Sequence, residues 1–447
     1  MDDSDTIAAV ATPPGRGGIG IVRVSGPRAD AIVASIAGVR PAPRLATRAS
    51  FRDGKGEVID HGLVVLFVAP HSYTGETVAE LHGHGGPSVM RLLVSRCTEL
   101  GARIAEPGEF TQRAFLNGKL DLAQAESVAD LIDAATATAA RAAARSLDGE
   151  FSREVHALVE RITELRVYTE ATLDFPEEDI EFLREGDVVA RLDALRVALG
   201  RVQARARTGA LLRDGLTVVL AGRPNVGKSS LLNCLAREEA AIVTPVPGTT
   251  RDPVERRVEI AGIPLTVVDT AGLRETADAV ERIGIERTWS ALGRADLALM
   301  LVDARDEGRN AEDRALIDRL PGDLPRVIVH NKADLAGVAP HADRREVWIC
   351  ARDGAGVELV ERAVLDAVGA SEGTEETYLA RERHVAALRD ATAHLDAAAL
   401  HVASRPPPIE LFAEELRGAQ DALASITGAF TADDLLGAIF GRFCIGK

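Results

Sequence analysis

The chain has 447 residues, more than one ordinary core holds, so we expect two to four domains of ~100–200 residues each. Its formal net charge of −16 argues against binding of nucleic acid by general electrostatic attraction, but it leaves room for a local basic patch. The four cysteines lie far apart, no apolar run approaches the ~20 residues of a membrane span, and no signal-peptide pattern follows the acidic N-terminus. We therefore expect a cytoplasmic protein that enters no membrane and has no disulfide framework or zinc site.

Residues 1–118 alternate short apolar stretches with glycine-rich turns, a pattern typical of a compact α/β domain. This region forms the first predicted domain. Its predicted strands are Thr6–Val10, Ile19–Val24 and Leu63–Ala69, and its predicted helices are Ala29–Ile36 and Ser88–Leu100.

The chain becomes helical at Leu120, where apolar residues recur three and four positions apart, and helical segments continue to about Thr208. Helices return after residue 371. They are predicted at Tyr378–Val402, from Ile409 to Ile426 along an amphipathic face, and after Thr431 as an N-cap. We interpret residues 119–210 and 371–447 as one discontinuous helical domain that carries an inserted domain.

The inserted domain, residues 211–370, alternates strands with helices, which predicts a doubly wound and mostly parallel sheet. Its Ala261-Gly262 pair predicts a hairpin and therefore one antiparallel edge strand. The predicted strands are Leu216–Ala221, Glu255–Ile260, Leu265–Val268, Leu297–Val302, Val327–His330 and Val347–Cys350.

A phosphate loop runs from Gly222 to Ser229 with the sequence Gly-Arg-Pro-Asn-Val-Gly-Lys-Ser. It follows a predicted strand and precedes a predicted helix, Leu231–Ala236, which is the context such a loop needs and a chance glycine-rich turn lacks. Backbone amides of this loop wrap phosphates, Lys228 neutralises the β and γ phosphates, and the Ser229 hydroxyl is a ligand for Mg²⁺. The motif predicts a nucleoside triphosphate site.

Three further motifs, each after a predicted strand, indicate that the nucleotide is GTP. Asp269-Thr-Ala-Gly272 supplies an acid that holds Mg²⁺ through water and an amide that senses the γ-phosphate. Asn331-Lys-Ala-Asp334 supplies a carboxylate for guanine N1–H and the N2 amino group, a donor pair that adenine lacks. Cys350-Ala-Arg352 places a backbone amide at guanine O6. Thr250 lies in a predicted switch segment and completes the Mg²⁺ shell when the γ-phosphate is present.

The hydrolytic step is harder to assign from the residues. Leu273 follows Asp269-Thr-Ala-Gly272, where many GTPases have a glutamine that orients water, and leucine cannot do that. Either hydrolysis is slow or another group substitutes. Three acids lie nearby, Glu275, Asp278 and Glu281, and on the residues alone each is a solvated surface acid.

Six motifs are distributed along essentially the whole chain. They are Ala11-Thr-Pro-Pro-Gly-Arg-Gly-Gly-Ile-Gly20, Ser72-Tyr-Thr-Gly-Glu76, Glu80-Leu-His-Gly-His-Gly-Gly86, Phe115-Leu-Asn-Gly-Lys-Leu-Asp-Leu-Ala-Gln-Ala-Glu126, Asp269-Thr-Ala-Gly-Leu-Arg274 and Phe443-Cys-Ile-Gly-Lys447. With these motifs the chain resembles the MnmE (TrmE) family of bacterial tRNA-modifying GTPases. The fold that the resemblance implies is multidomain: an N-terminal α/β folate-binding-like and dimerisation domain, a discontinuous all-α domain, and an inserted Ras-like doubly wound GTPase domain.

The resemblance implies a GTP-driven enzyme that adds an aminomethyl or carboxymethylaminomethyl group to C5 of the wobble uridine of certain tRNAs. The enzyme would be a homodimer and would form a complex with an FAD-dependent partner similar to MnmG (GidA). Its one-carbon donor would be 5,10-methylene- or 5-formyl-tetrahydrofolate. By position, the folate would be bound by Arg23, Glu80, Lys119 and Lys447, since arginine and lysine pair with the folate carboxylates and a carboxylate pairs with the pterin edge.

The resemblance also implies how hydrolysis proceeds without the glutamine. A K⁺ ion held by Asn225, Thr244, Val246 and Thr249 would stabilise the transition state, and Glu281 would orient the attacking water. Lys228, Glu281 and Cys444 are the catalytic candidates, with Cys444 either a functional thiol beside the folate or merely a buried one. The predicted GTP-binding residues are Asn225, Val226, Gly227, Lys228, Ser229, Ser230, Thr244, Thr249, Thr250, Asp269, Thr270, Ala271, Gly272, Asn331, Lys332, Asp334, Cys350, Ala351 and Arg352.

Three other patterns have weaker interpretations. The glycines of Gly15–Gly20 match a dinucleotide fingerprint, but a strand follows them where that site needs a helix. His82 and His84 have no ligand partner at metal spacing, so we interpret them as loop histidines. Cys444 is fourth from the end, but Gly446-Lys447 and the lack of a preceding basic cluster disfavour prenylation.

Two other functions compete with the leading one. A regulatory GTPase switch of the ribosome-assembly type would be indifferent to folate, and it would be expected to carry a basic RNA-binding module, which the sequence lacks. A folate-binding module with a vestigial GTPase would bind GTP without turnover, which the intact Lys228, Ser229, Thr250 and Asp334 disfavour.

Overall fold

The structure is a computed structural model that describes residues 5–174, 187–236, 255–269, 295–306, 311–322, 324–370, 377–405, 407–429, 433–441, 443 and 446. The chain divides into two compact units. The first comprises Met1–Ala129 with Ala424–Lys447, and the second comprises Asp130–Leu423. None of the helices in the described part of the chain has the length and apolar character needed to span a bilayer.

The first unit contains a six-stranded sheet in the order β3-β4-β5-β2-β1-β6. Its neighbouring strands are antiparallel except for β1 and β6, which are parallel. The strands are β1 (Ile7–Val10), β2 (Gly17–Ser25), β3 (Thr47–Arg52), β4 (Val58–Phe67), β5 (Val78–Gly85) and β6 (Arg103–Ile104).

Helices cover both faces of this sheet. On one face, α1 (Ala29–Ala37) and α2 (Pro87–Glu99) bury a core that includes Val22 and Leu81. On the other, α3 (Glu109–Leu116) brings Phe110 against Ile7 and Ala9. Successive residues of a strand face opposite sides of the sheet, and helices cover both sides here. The strands therefore appear in the sequence as short continuous apolar runs, which is why these runs predict them correctly.

Buried charges fix the start of α3. Glu109 is 1% exposed and accepts hydrogen bonds from Arg103 Nη2 at 2.7 Å and from Arg113 Nη2 at 2.9 Å. Arg113 also donates to Asp5 and to Glu76, so the network joins α3 to the chain before β1 and to the loop before β5. Burying these charges costs desolvation energy, which the ion pairs and hydrogen bonds offset, so removing one partner would leave another charge buried and unpaired.

The C-terminal helix, Asp433–Phe440, packs within the first unit. Phe440 and Phe443 are buried beside Leu122, at the start of α4 (Leu122–Asp133). The predicted N-cap of this helix, Thr431, lies outside the described residues.

The second unit contains long helices and a second sheet. The helices α5 (Ala137–Leu147), α6 (Glu150–Asp174) and α7 (Val188–Asp214) precede the sheet, and α12 (Glu382–Ala403) and α13 (Ile409–Thr427) follow it. They confirm the helical prediction on both sides of the α/β region.

The helix predicted at Tyr378 begins four residues later, at Glu382. Residues 377–380 are extended because their backbone groups bond to α5 instead of to a helical turn. The Leu379 amide donates to Ala142 O at 3.4 Å, and the Ser146 hydroxyl donates to Leu379 O at 3.0 Å. Tertiary contacts therefore override a sequence pattern that favours helix.

The second sheet has seven strands in the order β12-β13-β11-β10-β7-β9-β8. The five central strands are parallel, and both edge strands, β8 and β12, are antiparallel. This confirms the doubly wound prediction and the hairpin at Ala261-Gly262, whereas the antiparallel strand β12 was not predicted. The strands are β7 (Leu216–Gly222), β8 (Glu255–Ile260), β9 (Ile263–Asp269), β10 (Leu297–Asp303), β11 (Arg326–Asn331), β12 (His341–Asp343) and β13 (Glu346–Ile349).

Helices cover this sheet on both faces. The helices are α8 (Lys228–Leu235), α9 (Ala311–Arg319), α10 (Ala333–Ala336) and α11 (Val357–Val368). Buried residues of α8 and α11, such as Leu231 and Val360, share one core with the inward residues of the parallel strands. Leu316 and Ile317 of α9 pack on the other face, against Met300. The carboxyl ends of the strands are left to form a site.

Candidate functional site

The phosphate loop joins β7 to α8 and is built around two glycines that no other residue can replace. Gly222 has φ +148° and Gly227 has φ +106°, conformations that L side chains rarely adopt. A Cβ on Gly227 would also lie well inside the 3.0 Å that real Cβ atoms keep from other atoms, against Asn331. The loop backbone therefore has no side chain at these positions to keep a ligand away, and the first amides of α8, which have no acceptor within the helix, suit an anion.

Lys228 lies at the start of α8 and its side chain folds back over the loop. Its Nζ donates to Gly222 O at 2.7 Å and to Arg223 O at 3.1 Å, so the ammonium is held where the phosphates of a nucleotide would lie. Ser229 and Ser230 are exposed in the same first turn, and Asn225 is exposed in the loop with φ +63°. A cation, backbone amides and hydroxyls at one helix N-terminus fit a Mg²⁺-bound triphosphate.

Asn331 at the end of β11 links the phosphate loop to the loop after β13. The side chain is 3% exposed; its Nδ2 donates to Val226 O at 2.7 Å, and its Oδ1 accepts from the Ala351 amide at 2.9 Å. The amide of Ala351 is therefore used within the protein. Sequence reasoning assigned Asn331 to the guanine site but did not predict this bridge, which makes the two nucleotide-binding loops one structure.

The two neighbours of Asn331 in the motif are also held in ion pairs. Lys332 Nζ lies 2.9 Å from Asp303 Oδ2, and hydrogen bonds from Arg305 and Lys332 hold the pKa of the Asp303 carboxyl well below its usual value. Asp334 on α10 lies 3.4 Å from Arg352 Nη2. This contact brings the predicted base-recognition carboxylate next to the loop predicted to face guanine O6.

Cys350 in that loop is buried rather than exposed. Burial raises the pKa of its thiol, and hydrogen bonds with Asp353 and Asp334 act in the same direction. The thiol is therefore neutral at neutral pH. The Cys350 amide donates to Ala355 O at 2.9 Å, so it is used within the protein, and the guanine contact assigned to this loop stays a prediction.

Arg223 is a structural residue of the site that sequence reasoning missed. Its Nε donates to Asp313 Oδ1 at 3.0 Å, and its Nη2 pairs with Asp306. Burial alone would lower its pKa, but these two carboxylates raise the pKa of Arg223 above its usual value. The pairs fix the phosphate loop to the chain after β10 and to α9. No short-range pattern signals them, because the partners lie far apart in the sequence.

Several predicted site residues lie outside the described residues. They are Thr244, Val246, Thr249, Thr250, Thr270, Ala271, Gly272, Glu281, Cys444 and Lys447. The side chain of Asp269 is also outside the described part of the chain. Their assigned roles stay predictions.

In the first unit, Arg23 and Glu80 are direct neighbours on β2 and β5. Arg23 Nε donates to Glu80 Oε1 at 3.0 Å, and the guanidinium lies over the rings of Tyr73, at 5.4 Å, and Phe110, at 5.7 Å. The rings and the ion pair orient both charged groups on the sheet face away from α1 and α2. The structure therefore brings two of the four predicted folate-binding residues together.

The third predicted folate residue, Lys119, is exposed, and its Nζ lies 3.3 Å from Pro70 O, in the loop that also carries Tyr73. The chain terminus returns to the same sheet. Gly446 is buried with φ +99°, and a Cβ there would collide with Val10 O at the end of β1.

His82 and His84, interpreted above as loop histidines, lie on β5 instead. His82 Nε2 is 3.0 Å from Glu80 Oε2, and His84 Nδ1 is 2.8 Å from Asp60 Oδ1. The prediction was wrong because β5 is rich in glycine and polar residues. Its stability comes from pairing with β2 and β4 on both sides.

These features define a P-loop GTPase: a doubly wound sheet, a phosphate loop with its lysine at a helix N-terminus, and a guanine-recognition motif bound to that loop. Two family models match the chain, "GTP-binding protein TrmE N-terminus" over residues 6–119 and "MnmE helical domain" over residues 122–444. The chain belongs to the MnmE (TrmE) family.

Relatives along the full length carry one name, "tRNA modification GTPase MnmE". The protein of Ralstonia nicotianae is 60% identical over 99% of this chain and 96% of its own length. The proteins of Cupriavidus necator and Chromobacterium violaceum are 57% and 55% identical, each over 99% of this chain and 98% of their own length.

Proposed function

We propose that this GTPase modifies C5 of the wobble uridine of certain tRNAs, adding an aminomethyl or carboxymethylaminomethyl group with a one-carbon unit from tetrahydrofolate. The observation that carries the proposal is the Arg23–Glu80 pair in the first unit of a chain whose second unit holds a GTP site. The pair fixes a carboxylate and a guanidinium side by side on one sheet face, which is the charge arrangement that a folate would bind.

The chemistry of a folate matches the groups at this sheet face. The pterin edge presents N–H donors beside an acceptor, and a fixed carboxylate such as Glu80 pairs with those donors. The Arg23 guanidinium lies over the rings of Tyr73 and Phe110, which hold it in place beside Glu80. Lys119 is exposed at the neighbouring loop, where an ammonium would pair with the carboxylates of the folate tail. Lys447, one residue after the buried Gly446, is proposed as a second cation that pairs with the carboxylates of the folate tail.

Hydrolysis of GTP is proposed to depend on K⁺ and Glu281. The ion would be bound by Asn225, Thr244, Val246 and Thr249, and its charge would stabilise the transition state where other GTPases use an arginine. Glu281 would orient the water that Leu273 cannot orient. The exposed Asn225 side chain in the phosphate loop supports a ligand at that position.

The remaining parts of the proposal concern partners. The chain would act as a homodimer with an FAD-dependent protein similar to MnmG, which would supply redox chemistry through its flavin, and tRNA would be their shared substrate. Mg²⁺ would be held by Ser229 and Thr250. The proposed location is the cytoplasm, where tRNA and folate are found.

A reconstituted reaction tests the proposal. Purified chain, the FAD partner, unmodified tRNA, GTP, Mg²⁺, K⁺ and 5,10-methylenetetrahydrofolate are combined, and nucleosides are analysed by mass spectrometry. We expect the modified uridine only when every component is present. Modification that proceeds without folate would contradict the folate assignment, and modification that proceeds without GTP would contradict coupling to the GTPase.

Matched variants locate the folate site. Glu80→Gln keeps the size of the side chain and removes the charge that pairs with Arg23 and the pterin, so folate binding should fall at least tenfold while GTP hydrolysis is unchanged. Glu57→Gln removes an exposed carboxylate elsewhere in the same unit and serves as the control. Equal folate affinities for the two variants would place the folate elsewhere.

A further inference from the structure

The edge of the second sheet presents a set of groups that the nucleotide site does not use. In register across β12, β13 and β11 lie His341, Trp348 and His330. The turn between β12 and β13 is Arg344-Arg345, and the Arg345 carbonyl accepts from the Ile328 amide of β11 at 2.9 Å. We call the surface formed by His341, Trp348, Arg326, Arg344 and Arg345 the hairpin face.

One part of the hairpin face is a stack of three flat rings. Trp348 lies 4.3 Å from His330 and 4.3 Å from His341 between ring centroids, with interplanar angles of 5° and 9°. His330 is buried and its Nε2 lies 2.9 Å from Glu346 Oε2, which fixes the inner end of the stack. His341, at the outer end, is exposed. The stack is therefore a rigid platform with one ring open to solvent.

The other part of the hairpin face is basic. Arg326, Arg344 and Arg345 are exposed, and none of them forms an ion pair with another residue in the described ranges of the chain. They line an open depression of about 630 Å³ together with Ile328, Asp343 and Glu346. Three guanidinium groups outnumber two carboxylates there, and one of those carboxylates already contacts His330. The local charge is positive on a chain whose net charge is −16.

The turn that carries these arginines is strained. Arg344 has φ +53°, a conformation that glycine and asparagine adopt readily in two-residue turns and that costs another residue about 1 kcal/mol. Strain of this kind persists at sites where a particular side chain is needed in a particular place. Here it presents two adjacent guanidinium groups at the tip of a hairpin.

The hairpin face cannot belong to the GTP site. Arg326 begins β11 and Asn331 ends it, so the two lie roughly 16 Å apart at opposite ends of one strand. Nucleotides bind at the carboxyl ends of such strands, and the arginines lie at the amino ends. Any anion that the arginines bind is therefore not the nucleotide of that site.

We propose that the hairpin face binds the phosphate backbone of tRNA, with the three arginines contacting phosphates and His341 offering a ring for a base to stack on. Arginines that have no protein partner, beside a flat ring stack, are the combination that recognises RNA through charge and stacking. The inference rests on the proposed tRNA function. A strongly negative chain repels RNA in general, so its contacts with RNA must be made at such local patches.

The test uses the complete modification reaction with full-length protein. The variant Arg326→Gln/Arg345→Gln removes two charges from the hairpin face and spares the strained position 344. The control Arg141→Gln/Arg201→Gln removes two charges from exposed arginines of α5 and α7 that form no ion pair with another described residue. We expect the KM for tRNA to rise at least fivefold for the first pair, with kcat and GTP hydrolysis unchanged, and the control to match wild type.

Salt dependence gives an independent readout. The slope of log affinity for tRNA against log salt concentration should become shallower by about 1 to 2 for the hairpin-face pair, as expected for two lost phosphate contacts. An unchanged KM and slope, with wild type active, would overturn the inference and leave the tRNA function standing. Loss of binding to the FAD partner with normal tRNA binding would also overturn it, since the face would then bind protein. Inactive wild type would instead refute the proposed function.

Discussion

Two glycines in one helix should respond in opposite ways to the same substitution. Gly200 and Gly209 both lie inside α7. Alanine stabilises an exposed helix interior by about 1 kcal/mol relative to glycine, and a Cβ on Gly200 would meet nothing within 4 Å. Gly200→Ala should therefore stabilise the protein by up to about 1 kcal/mol.

Gly209→Ala should do the reverse. A Cβ there would collide with Tyr378 O and lie 3.0 Å from Ala380 N, both backbone atoms of the segment that returns the chain from the second sheet to α12. Backbone cannot swing aside as a flexible side chain does, so we assign a cost of about 3 kcal/mol, at the upper end for overpacking. The helix gain of about 1 kcal/mol offsets part of it, leaving a net loss of about 2 kcal/mol.

The assay is urea unfolding followed by circular dichroism, with both variants and wild type measured side by side. The predicted gap between the variants is about 3 kcal/mol, well beyond the error of such measurements. Gly209→Ala with stability equal to or above wild type would refute the close packing of α7 against residues 378–380.

Three other substitutions test separate parts of the structure. Asn331→Ala leaves Val226 O and the Ala351 amide buried without their hydrogen-bond partner, at a cost of about 1–3 kcal/mol each. The affinity for GDP, measured with a fluorescent analogue, should therefore fall at least tenfold. An unchanged affinity would contradict the role of Asn331 in bridging the two loops. Glu109→Gln removes a buried carboxyl. Burial alone would raise the pKa of this carboxyl, but hydrogen bonds with Arg103 hold the pKa below its ordinary value of 4.5. The carboxylate therefore contributes to the free energy of unfolding above about pH 4.5, and this contribution is lost as the pH falls through the lower pKa of the folded protein. The difference in free energy of unfolding between wild type and Glu109→Gln should be constant from pH 6 to 8 and should decrease in acid. Thr136→Val removes both the cap on the Ala139 amide and the hydrogen bond to Gly262 O. Backbone amides around the β8–β9 turn should therefore exchange with deuterium faster than in wild type. Equal exchange rates would contradict the hydrogen bond between Thr136 and Gly262 O.

The second sheet was largely predictable because its signals are local. Each parallel strand is a short apolar run bounded by turn residues, and both faces of the sheet are covered, so the run needs no alternation. The hairpin at Ala261-Gly262 has φ values of +49° and +84°; glycine adopts this conformation readily, whereas alanine adopts it at a cost. The strand β12 escaped prediction because it has only three residues, all exposed.

Elements that depend on distant partners were not predictable. The strand β5 has little apolar alternation and owes its place to β2 and β4. Residues 378–381 have a helical pattern but bond to α5. Boundaries of the domains at residues 118, 210 and 370 stay predictions.

At the candidate site, too, the features with local sequence signals were predictable and those that depend on distant residues were not. The phosphate loop and its lysine were predictable because glycine spacing, strand and helix lie within 20 residues. The bridge at Asn331, the Arg223–Asp313 pair and the rings around Arg23 were not, since each joins residues that only the fold brings together. These contacts position the predicted residues, and they come from topology rather than from a motif.

GTP hydrolysis by this chain is proposed to serve tRNA modification. Nucleoside mass spectrometry tests this on total tRNA from cells that lack the protein and are complemented with wild type or Lys228→Ala. We expect that a C5-modified wobble uridine disappears in the deletion strain, returns with wild type and does not return with Lys228→Ala. An unchanged nucleoside profile in the deletion strain would contradict the claim.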